Sequence, residues 1–311
     1  MKLKLGMILS LLLVSLVLAG CDFEDFESMS KETQEFAHSY PLSNGGSIEV
    51  FTKNGSVEIL GWEKDTVEIT GTKYARNKSD LDKISINIAT TDSSIIIKSV
   101  FPDNRANNKG VRYVIRAPHS ARVTTVDSSN GHIRVEEINR VSKLDTSNAS
   151  ITVRKSEGPL VADTSNGSIK IYETKGDLRL DTSNGRIEAE DVAGAVTADT
   201  SNGAIRISVA EPPSGAPLRF DTSNGSIEVT VKRYAANPIV LDSSNGSITL
   251  RIPEDINADV NATTSNGGIQ TDFPVTVSGK INKHSLHTRL GSGGPTITLD
   301  TTNSSIRLLR Y

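Results

Sequence analysis

The chain has 311 residues, and its 34 lysines and arginines against 37 aspartates and glutamates give a net charge of −3, which argues against nucleic-acid binding. Hydrophobic residues make up 36% and aromatic residues only 5% of the chain, which is lean for a globular core but suits a thin solenoid filled by aliphatic side chains. The single cysteine excludes an internal disulfide bond.

Residues 1–20 have the pattern of a signal peptide for export. A basic beginning is followed by an apolar stretch from Leu5 to Val17, which is too short for a typical membrane span. Leu18-Ala19-Gly20 before Cys21 resembles the bacterial lipobox, which implies cleavage before Cys21 and attachment of fatty acyl chains, palmitate among them, to that residue. An ordinary signal peptide with an incidental cysteine is the alternative. The sequence thus predicts a lipoprotein of the bacterial cell envelope, anchored to the inner or the outer membrane.

Residues 21–40 are predicted to form an acidic, flexible tether. Their carboxylates follow no hydrophobic period, and they are Asp22, Glu24, Asp25, Glu27 and Glu32. Cleavage of the signal peptide would remove two of the 34 basic residues and leave 32 against 37 acidic ones, a net charge of −5. The tether would hold the folded domain, residues 41–311, away from the bilayer.

One short motif, Asp-Thr-Ser-Asn-Gly-x-Ile or a close variant, dominates the second half of the chain. Its nine copies begin at Asp127, Asp145, Asp163, Asp181, Asp199, Asp221, Asp242, Thr263 and Asp300. The first five copies are 18 residues apart, the next steps are 22, 21 and 21 residues, and the last step of 37 is interpreted as two periods with one motif eroded. Such a fixed period predicts a stacked repeat fold.

The copy at Asp163 shows how one coil of the repeat is built. Leu160, Ala162 and Thr164 alternate onto one face of a strand, and Ile169 and Ile171 onto one face of the next. The corner between them is Ser-Asn-Gly, because Asn and Gly adopt left-handed backbone angles at little cost. The residues that should hold successive corners and cores in register are Asn166, Gly167 and Ile169 in this copy and Asn184, Gly185 and Ile187 in the next.

These patterns predict an all-β, single-stranded parallel β-solenoid, similar to a β-helix, with about two short strands in each coil of 18–22 residues. A hairpin-rich antiparallel sandwich is the alternative, since Asn-Gly is also a strong hairpin signal. Stacking explains why isoleucine recurs at one phase in all nine copies, whereas antiparallel pairing does not require it. The last of these, Ile306, is expected to be covered by a neighbouring coil on one side only.

The solenoid domain is expected to have two parts. Residues 41–126 carry weak copies of the motif, such as Asn54-Gly55-Ser56-Val57, and are predicted to be atypical N-terminal coils, as terminal repeats often are. Residues 127–311 are predicted to be the regular coils. Insertions rich in proline and glycine, such as the segment 211–217, should lie on the rim, where binding specificity is most easily built.

The aspartate that opens each motif is the sharpest chemical feature. Strand alternation places these carboxylates on the outer face about 5 Å apart, where two unit charges repel by about 1 kcal/mol even in water. We expect each one to accept hydrogen bonds from the backbone N–H groups of its own corner. A row of Ca²⁺ ions is the alternative, with ligands from Asp145, Asp163, Asp181, Asp199 and Asp221. The sequence lacks the GGxGxDxUx nonapeptide of calcium β-rolls.

The remaining polar columns predict structural roles. The threonines that follow the aspartates share the phase of the apolar residues, so most should point inward and not form an ice-binding ladder. The asparagines from Asn130 to Asn266 should bond coil to coil through their side-chain amides. His284 and His287 form an HxxH pair without the glutamate or third ligand of a zinc site. No catalytic residue and no cofactor are predicted.

The chain resembles a known family of β-strand-repeat proteins, the "putative adhesin" family classed as domain of unknown function 4097. The matching residues are the lead-in Val111–Pro118, the serial Thr-Ser-Asn-Gly corners, and the closing segment Gly291–Leu299 before the last copy. The similarity covers roughly Leu42 to Tyr311. It implies an exported β-solenoid and a label of adhesion that rests largely on shape, and it supplies no catalytic residues.

Together these features predict a non-enzymatic, lipid-anchored envelope protein that presents a rigid surface for adhesion or for assembly with a protein or a glycan. Its expected partners are the membrane, through Cys21, and an envelope protein or glycan, but no nucleic acid. The main alternative is a carbohydrate-active enzyme resembling polysaccharide lyases or hydrolases, because some β-helices cleave polysaccharides with paired carboxylates. A Ca²⁺-binding β-roll is a lesser alternative.

Overall fold

A computed structural model of the chain describes residues 32–101, 108–274 and 283–311. The N-terminal part of the described chain contains seven strands and one short helix. They are β1 (Glu32–Pro41), β2 (Ser47–Thr52), β3 (Val57–Trp62), β4 (Thr66–Ala75), α1 (Lys78–Asp82), β5 (Ser85–Thr91), β6 (Ser94–Val100) and β7 (Gly110–Pro118).

The regular coils follow, with two strands in each. They are β8 (Arg122–Ser128), β9 (Ile133–Glu136), β10 (Arg140–Thr146), β11 (Ile151–Arg154), β12 (Leu160–Thr164), β13 (Ile169–Tyr172), β14 (Leu178–Thr182), β15 (Ile187–Val192), β16 (Val196–Thr200), β17 (Ile205–Val209), β18 (Leu218–Thr222), β19 (Ile227–Val231), β20 (Ile239–Ser243) and β21 (Ile248–Ile252). The last strands are β22 (Ala258–Thr264), β23 (Ile269–Thr271), β24 (Ser285–Leu290), β25 (Thr296–Thr301) and β26 (Ile306–Arg310).

These strands form two sheets of thirteen strands that enclose one core. Sheet A has the order β1-β4-β7-β3-β9-β11-β13-β15-β17-β19-β21-β26-β23. Sheet B has the order β24-β22-β25-β20-β18-β16-β14-β12-β10-β8-β2-β6-β5. From β8 to β21 each strand pairs in parallel with its equivalent in the next coil, which confirms the predicted parallel β-solenoid.

The core is a set of aliphatic ladders in register. Ile169 pairs with Ile187 and Ile187 with Ile205, and all three side chains are at most 1% exposed. Each motif glycine is required by the close approach of the neighbouring coil. A Cβ atom on Gly185 would lie 1.7 Å from the carbonyl oxygen of Gly167, and neither residue has a positive φ. The expected left-handed turn is therefore not the reason for glycine at this corner.

The coils at the C-terminal end do not stack in chain order. β25 lies between β20 and β22, and β26 lies between β21 and β23. The prediction of an eroded motif in the 37-residue step was wrong, because this step contains β24, which pairs antiparallel with β22. Ile306 is covered on both sides, by Ile248 and by Ile269, so the expectation of one-sided cover was also wrong.

The N-terminal end has the same kind of threading. β2 lies between β8 and β6, and β3 lies between β9 and β7, so the first coil is enclosed by later ones. Beyond it, β4 and β1 add antiparallel strands to sheet A, and β5 adds one to sheet B. These antiparallel pairs are what makes the predicted atypical coils different from the regular ones.

The predicted tether over residues 21–40 needs correction for residues 32–40. These residues form most of β1, whose Phe36 ring packs against the Tyr113 ring at 5.7 Å between centroids. Phe36, His38 and Tyr40 alternate along the strand, a period of two that the surrounding acidic residues obscure. The solenoid therefore includes β1, ahead of the predicted boundary at residue 41. Residues 21–31 lie outside the described residues.

Candidate functional site

The outer face of sheet B carries a continuous row of carboxylates, which we call the aspartate ladder. Its members occupy one register position on eight successive strands and are Asp127, Asp145, Asp163, Asp181, Asp199, Asp221, Asp242 and Asp300. Adjacent parallel strands lie about 4.8 Å apart, so each carboxylate of the row has like-charged neighbours.

The ladder raises the pKa of its own members. Partial burial, followed by repulsion from the neighbouring aspartate, raises the pKa of Asp181, Asp199 and Asp221 above the ordinary value. Few cations offset this effect. The Lys143 ammonium lies 3.7 Å from Asp145, and the Arg179 guanidinium lies 3.9 Å from Asp181.

The expectation that each aspartate caps its own corner was wrong. The corner N–H groups are bound elsewhere: Gly167 donates to Thr164 Oγ1 at 3.2 Å, while Ser165 and Asn166 donate to the Ser147 carbonyl. The reason is that the strand continues through the aspartate, so its side chain points away from the corner. Among the described residues, no ladder carboxylate accepts a backbone hydrogen bond, so the ladder is free to face solvent or a partner.

The threonines that follow the aspartates bind the corner N–H groups that we expected the aspartates to bind. Thr182 is 1% exposed, and its hydroxyl donates to the Gly167 carbonyl at 3.0 Å while accepting from the Gly185 N–H at 3.1 Å. One side chain thus closes its own corner and joins it to the corner of the preceding coil. The inward threonines are not an exposed ladder.

The asparagines form a second ladder at the corner. Asn184 Nδ2 donates to Asn166 Oδ1 at 2.8 Å, and the same bond repeats in one direction from Asn54 to Asn245. It then passes to Asn303 and finally to Asn266, following the order of the strands and not the order of the chain. These side-chain amides bind one another, so few of their hydrogen-bonding groups are available to a ligand.

The outer face of sheet A differs from that of sheet B because its charges are paired. Arg134 lies 2.9 Å from Glu58, and Arg206 lies 3.0 Å from Glu228, which also binds Arg251. The hydrogen bond from Arg251 lowers the pKa of Glu228, and Arg206 adds to the effect. The two faces therefore present different surfaces, an acidic row on sheet B and a mixed, locally neutral array on sheet A.

The serial corners, the two parallel sheets and the aliphatic ladders agree with one protein family. The profile of the family described as Toastrack DUF4097 matches residues 47–308. This chain belongs to the Toastrack DUF4097 family. The resemblance expected from the sequence is thereby confirmed for the family, while the lipoprotein form stays a prediction.

Solved structures with a similar fold have little sequence identity with this chain. A "putative adhesin" from Bacteroides fragilis NCTC 9343 is 12% identical, with 89% of this chain and 97% of that chain covered and a TM-score of 0.40. A "putative cell adhesion protein" from Clostridium sporogenes ATCC 15579 is 12% identical, with 90% and 100% covered and a TM-score of 0.28. A "putative lipid binding protein" from Parabacteroides distasonis ATCC 8503 is 10% identical, with 89% and 96% covered and a TM-score of 0.34.

At these identities and TM-scores the likeness carries no conclusion about a ligand. The names of the family and of these structures are not those of enzymes. No curated protein matches the chain significantly.

The other predicted site residues give no metal centre within the described residues. No group of three or more His, Cys, Asp or Glu side chains is placed to hold a metal ion, the five Ca²⁺ candidates Asp145, Asp163, Asp181, Asp199 and Asp221 included. His287 is held by the protein itself, with Nδ1 2.9 Å from Asn261 Oδ1 and Nε2 3.0 Å from Ser285 Oγ.

Cys21 lies outside the described residues, so its lipidation stays a prediction. In the described part of the chain, no helix is long and apolar enough to cross a membrane.

The second corner of each regular coil shows a backbone feature that was not predicted. It repeats a positive φ at non-glycine residues. The positions are Glu137, Lys155, Glu173 and Asp191. They are spaced 18 residues apart, so the period of the repeat identifies them as equivalent positions.

Proposed function

We propose that this protein is a non-enzymatic, lipid-anchored component of the bacterial envelope that presents a rigid solenoid surface for adhesion or for assembly with a protein or glycan. One observation carries the proposal. The polar groups of the corners bond coil to coil, while the outward aspartates repeat at one register position from strand to strand. An active site instead requires unlike groups that converge on one point.

The aspartate ladder illustrates why the surface favours binding over catalysis. Two carboxylates that cleave a glycosidic bond take different roles because their environments separate their pKa values. In the ladder, Asp181, Asp199 and Asp221 share the same environment, and the same causes raise the pKa of each. Repetition of one environment suits an extended partner that makes the same contact many times.

The anchored location is supported by the sequence of the N-terminus. Lys2 and Lys4 precede an apolar stretch, and Cys21 is the only cysteine in the chain and follows Leu18-Ala19-Gly20. Multiple acyl chains at that residue would hold the protein stably, whereas a single chain binds only marginally.

Adhesion of cells that express the protein tests this proposal. Cells with the wild-type chain, a sheet B variant (Asp163→Lys with Asp181→Lys) and a sheet A variant (Glu188→Lys) are compared for attachment to other cells and to glycan-coated surfaces. All three substituted residues point outward from central strands, so folding should be preserved. We expect attachment to fall for one of the two face variants and to persist for the other.

A screen of envelope and extracellular polysaccharides, with detection of new reducing ends, provides the opposite test. Reproducible turnover that one aspartate substitution abolishes would show that the protein is an enzyme and would refute the proposal. Attachment that is indifferent to expression of the protein and to both face variants would refute it as well.

A further inference from the structure

A cleft of about 340 Å³ interrupts the outer face of sheet A, at the strands β15, β17 and β19. Its floor holds the small hydroxyl side chains of Ser208 and Thr230. Its walls hold Glu190, Glu228 and the ion pair between Asp191 and Lys232. Neither of the two floor residues was singled out by the sequence patterns.

The cleft exists because the regular row of side chains is broken here. Along one outward row of sheet A, Tyr172 and Glu190 are followed by Ser208, Thr230 and then Arg251. Two short side chains between long ones leave a depression two strands wide.

A β-bulge in β15 builds one wall of this depression. The register with β17 shifts between Ala189 and Val192, so that Glu190 and Asp191 together face one residue of β17. Bulges of this kind redirect a side chain and are frequent beside binding sites. Asp191, which has the positive φ common to this corner of the coil, forms an ion pair with Lys232 two strands away.

The polar groups of the cleft are only partly satisfied by the protein. Within the described residues, neither the Ser208 hydroxyl nor the Thr230 hydroxyl makes a hydrogen bond, and Glu190 forms no ion pair. Glu228 is instead fixed by Arg206 at 3.0 Å and by Arg251, which keep it ionised. Both acceptors and donors therefore line the cleft, together with two available hydroxyls.

We propose that this cleft binds one sugar ring of an envelope glycan. Neighbouring hydroxyls of a sugar donate to carboxylates and accept from ammonium, guanidinium and hydroxyl groups, all of which line the cleft. The three acids Glu190, Asp191 and Glu228 are nearly balanced by Arg206 and Lys232, which disfavours phosphate and strongly charged ligands.

The size and position of the cleft suit the same ligand. Its volume is at the lower end of the range of about 300–1,000 Å³ that is usual for small-molecule sites. Its charged side chains disfavour acyl chains, and its place on the outer face of a sheet lets a longer glycan continue past the bound ring. This inference rests on the proposed function, since the sugar is held and not cleaved.

Sugar binding by the soluble mature chain, carrying Cys21→Ser, tests the inference. The probes are glucose, galactose, N-acetylglucosamine and its β-1,4-linked tetramer, followed by saturation-transfer NMR and calorimetry, with inorganic phosphate as the charged comparison. We expect at least one sugar to bind in the millimolar range and phosphate not to compete. Ser208→Leu should fill the cleft and weaken binding by at least about tenfold, and Glu190→Gln, which keeps the shape, should weaken it by about threefold to tenfold.

Thr152→Leu is the matched control, because Thr152 points outward from the same sheet on β11, away from the cleft. This variant should bind like the wild type. Absence of binding by all four sugars, equal binding by Ser208→Leu, or displacement of sugar by phosphate would each overturn the inference.

The same samples separate this inference from the proposed function. A sugar that binds in the cleft and is then cleaved to new reducing ends would refute the non-enzymatic role but not the site. Cell attachment that persists without any sugar binding would refute the site but not the role.

Discussion

At the scale of single residues, stability depends on side chains that serve two coils at once. Thr182 is such a residue, since its hydroxyl accepts from Gly185 in its own coil and donates to Gly167 in the preceding one. Serine occupies the same position at Ser128 and Ser243, so the hydroxyl and not the methyl group is the common requirement.

We predict that Thr182→Val lowers the free energy of unfolding by about 1–3 kcal/mol, because it leaves a buried N–H and a buried carbonyl without partners. Thr182→Ser should cost less, since it retains both bonds. Thr197→Val, on the outer face of a neighbouring strand, serves as the control and should change stability little. Denaturant unfolding measures all three, and equal losses for Thr182→Val and Thr197→Val would contradict the two-coil bond.

The aspartates of the ladder are predicted to lower the stability of the protein when they are ionised, whereas paired surface carboxylates usually raise it. The pKa of Asp181 is raised in the folded state. The protonated side chain therefore contributes to the stability of the folded protein below the pKa of the unfolded state, and this contribution is lost as the pH rises through the pKa of the folded state. Asp181→Asn should therefore stabilise the protein at pH 7, by less than about 1 kcal/mol after solvent screening, and the gain should vanish below the ordinary aspartate pKa. Melting temperatures at low salt and several pH values measure it. Destabilisation at pH 7 would mean that the carboxylate makes a favourable contact.

Calcium provides a separate test of the same row. Screening by any cation should relieve the repulsion, so we expect CaCl₂ and NaCl of equal ionic strength to raise the melting temperature equally. Specific sites would instead add a stabilisation of RT ln(1 + [L]/Kd) for each bound ion. A rise of several degrees with millimolar Ca²⁺ alone, reduced by Asp181→Asn, would establish the metal-binding alternative.

At the scale of strands, the repeat specifies the register but not the order of the coils. The phase of Ile169 and Ile187 follows from the sequence, because a slip of one residue would turn each isoleucine to the outer face. The position of the last coil in the stack does not follow from the sequence, because every copy of the motif carries isoleucine at the same position. Ile306 pairs with Ile248 on one side and with Ile269 on the other, although Ile269 precedes it in the chain.

The candidate cleft shows a second limit of the sequence. The repeat pattern predicts only what all coils have in common. The cleft arises where the coils differ, at the bulge of Glu190 and Asp191 and at the short side chain of Ser208. Similarly, the aspartate ladder was placed correctly on the outer face, but its capping role was not, because Thr164 and its equivalents take the corner N–H groups.

Isoleucine truncation tests the observed coil order. We predict that Ile187→Ala costs about 2–5 kcal/mol, because it opens a cavity between Ile169 and Ile205. Ile306→Ala should cost about as much, since Ile248 and Ile269 cover it on both sides. Ile269→Ala, at the outermost and less buried position, should cost least. Unfolding by denaturant gives these values, and a small loss at Ile306 with a large loss at Ile269 would restore stacking in chain order.

At the scale of the whole molecule, both ends of the solenoid are closed by strands of a different kind. β1 and β4 at one end, and β24 at the other, pair antiparallel with the parallel stack. At the N-terminal end, β1 is the outermost strand of sheet A, so fraying of β1 does not open the parallel stack directly. Such closure is the role that capping units have in repeat proteins.

The chain enters the solenoid through β1, at the edge of sheet A, and Cys21 lies eleven residues before Glu32. Lipid at Cys21 would therefore be linked to the solenoid through β1. This arrangement makes the anchor and the binding surface separable by mutation.

We predict that Cys21→Ser releases the protein from the membrane fraction or leaves it unprocessed, because the signal peptide contains the only other apolar segment long enough to hold it. Fractionation of cells, with a gel shift for the uncleaved form, measures the outcome. Asp22→Asn, next to the same site, is the control and should still be processed and anchored. Melting temperatures of the released Cys21→Ser protein and the detergent-extracted wild type should agree, because the substitution precedes β1. Normal processing with unchanged membrane association of Cys21→Ser would show that the cysteine is not lipidated and that another contact anchors the solenoid.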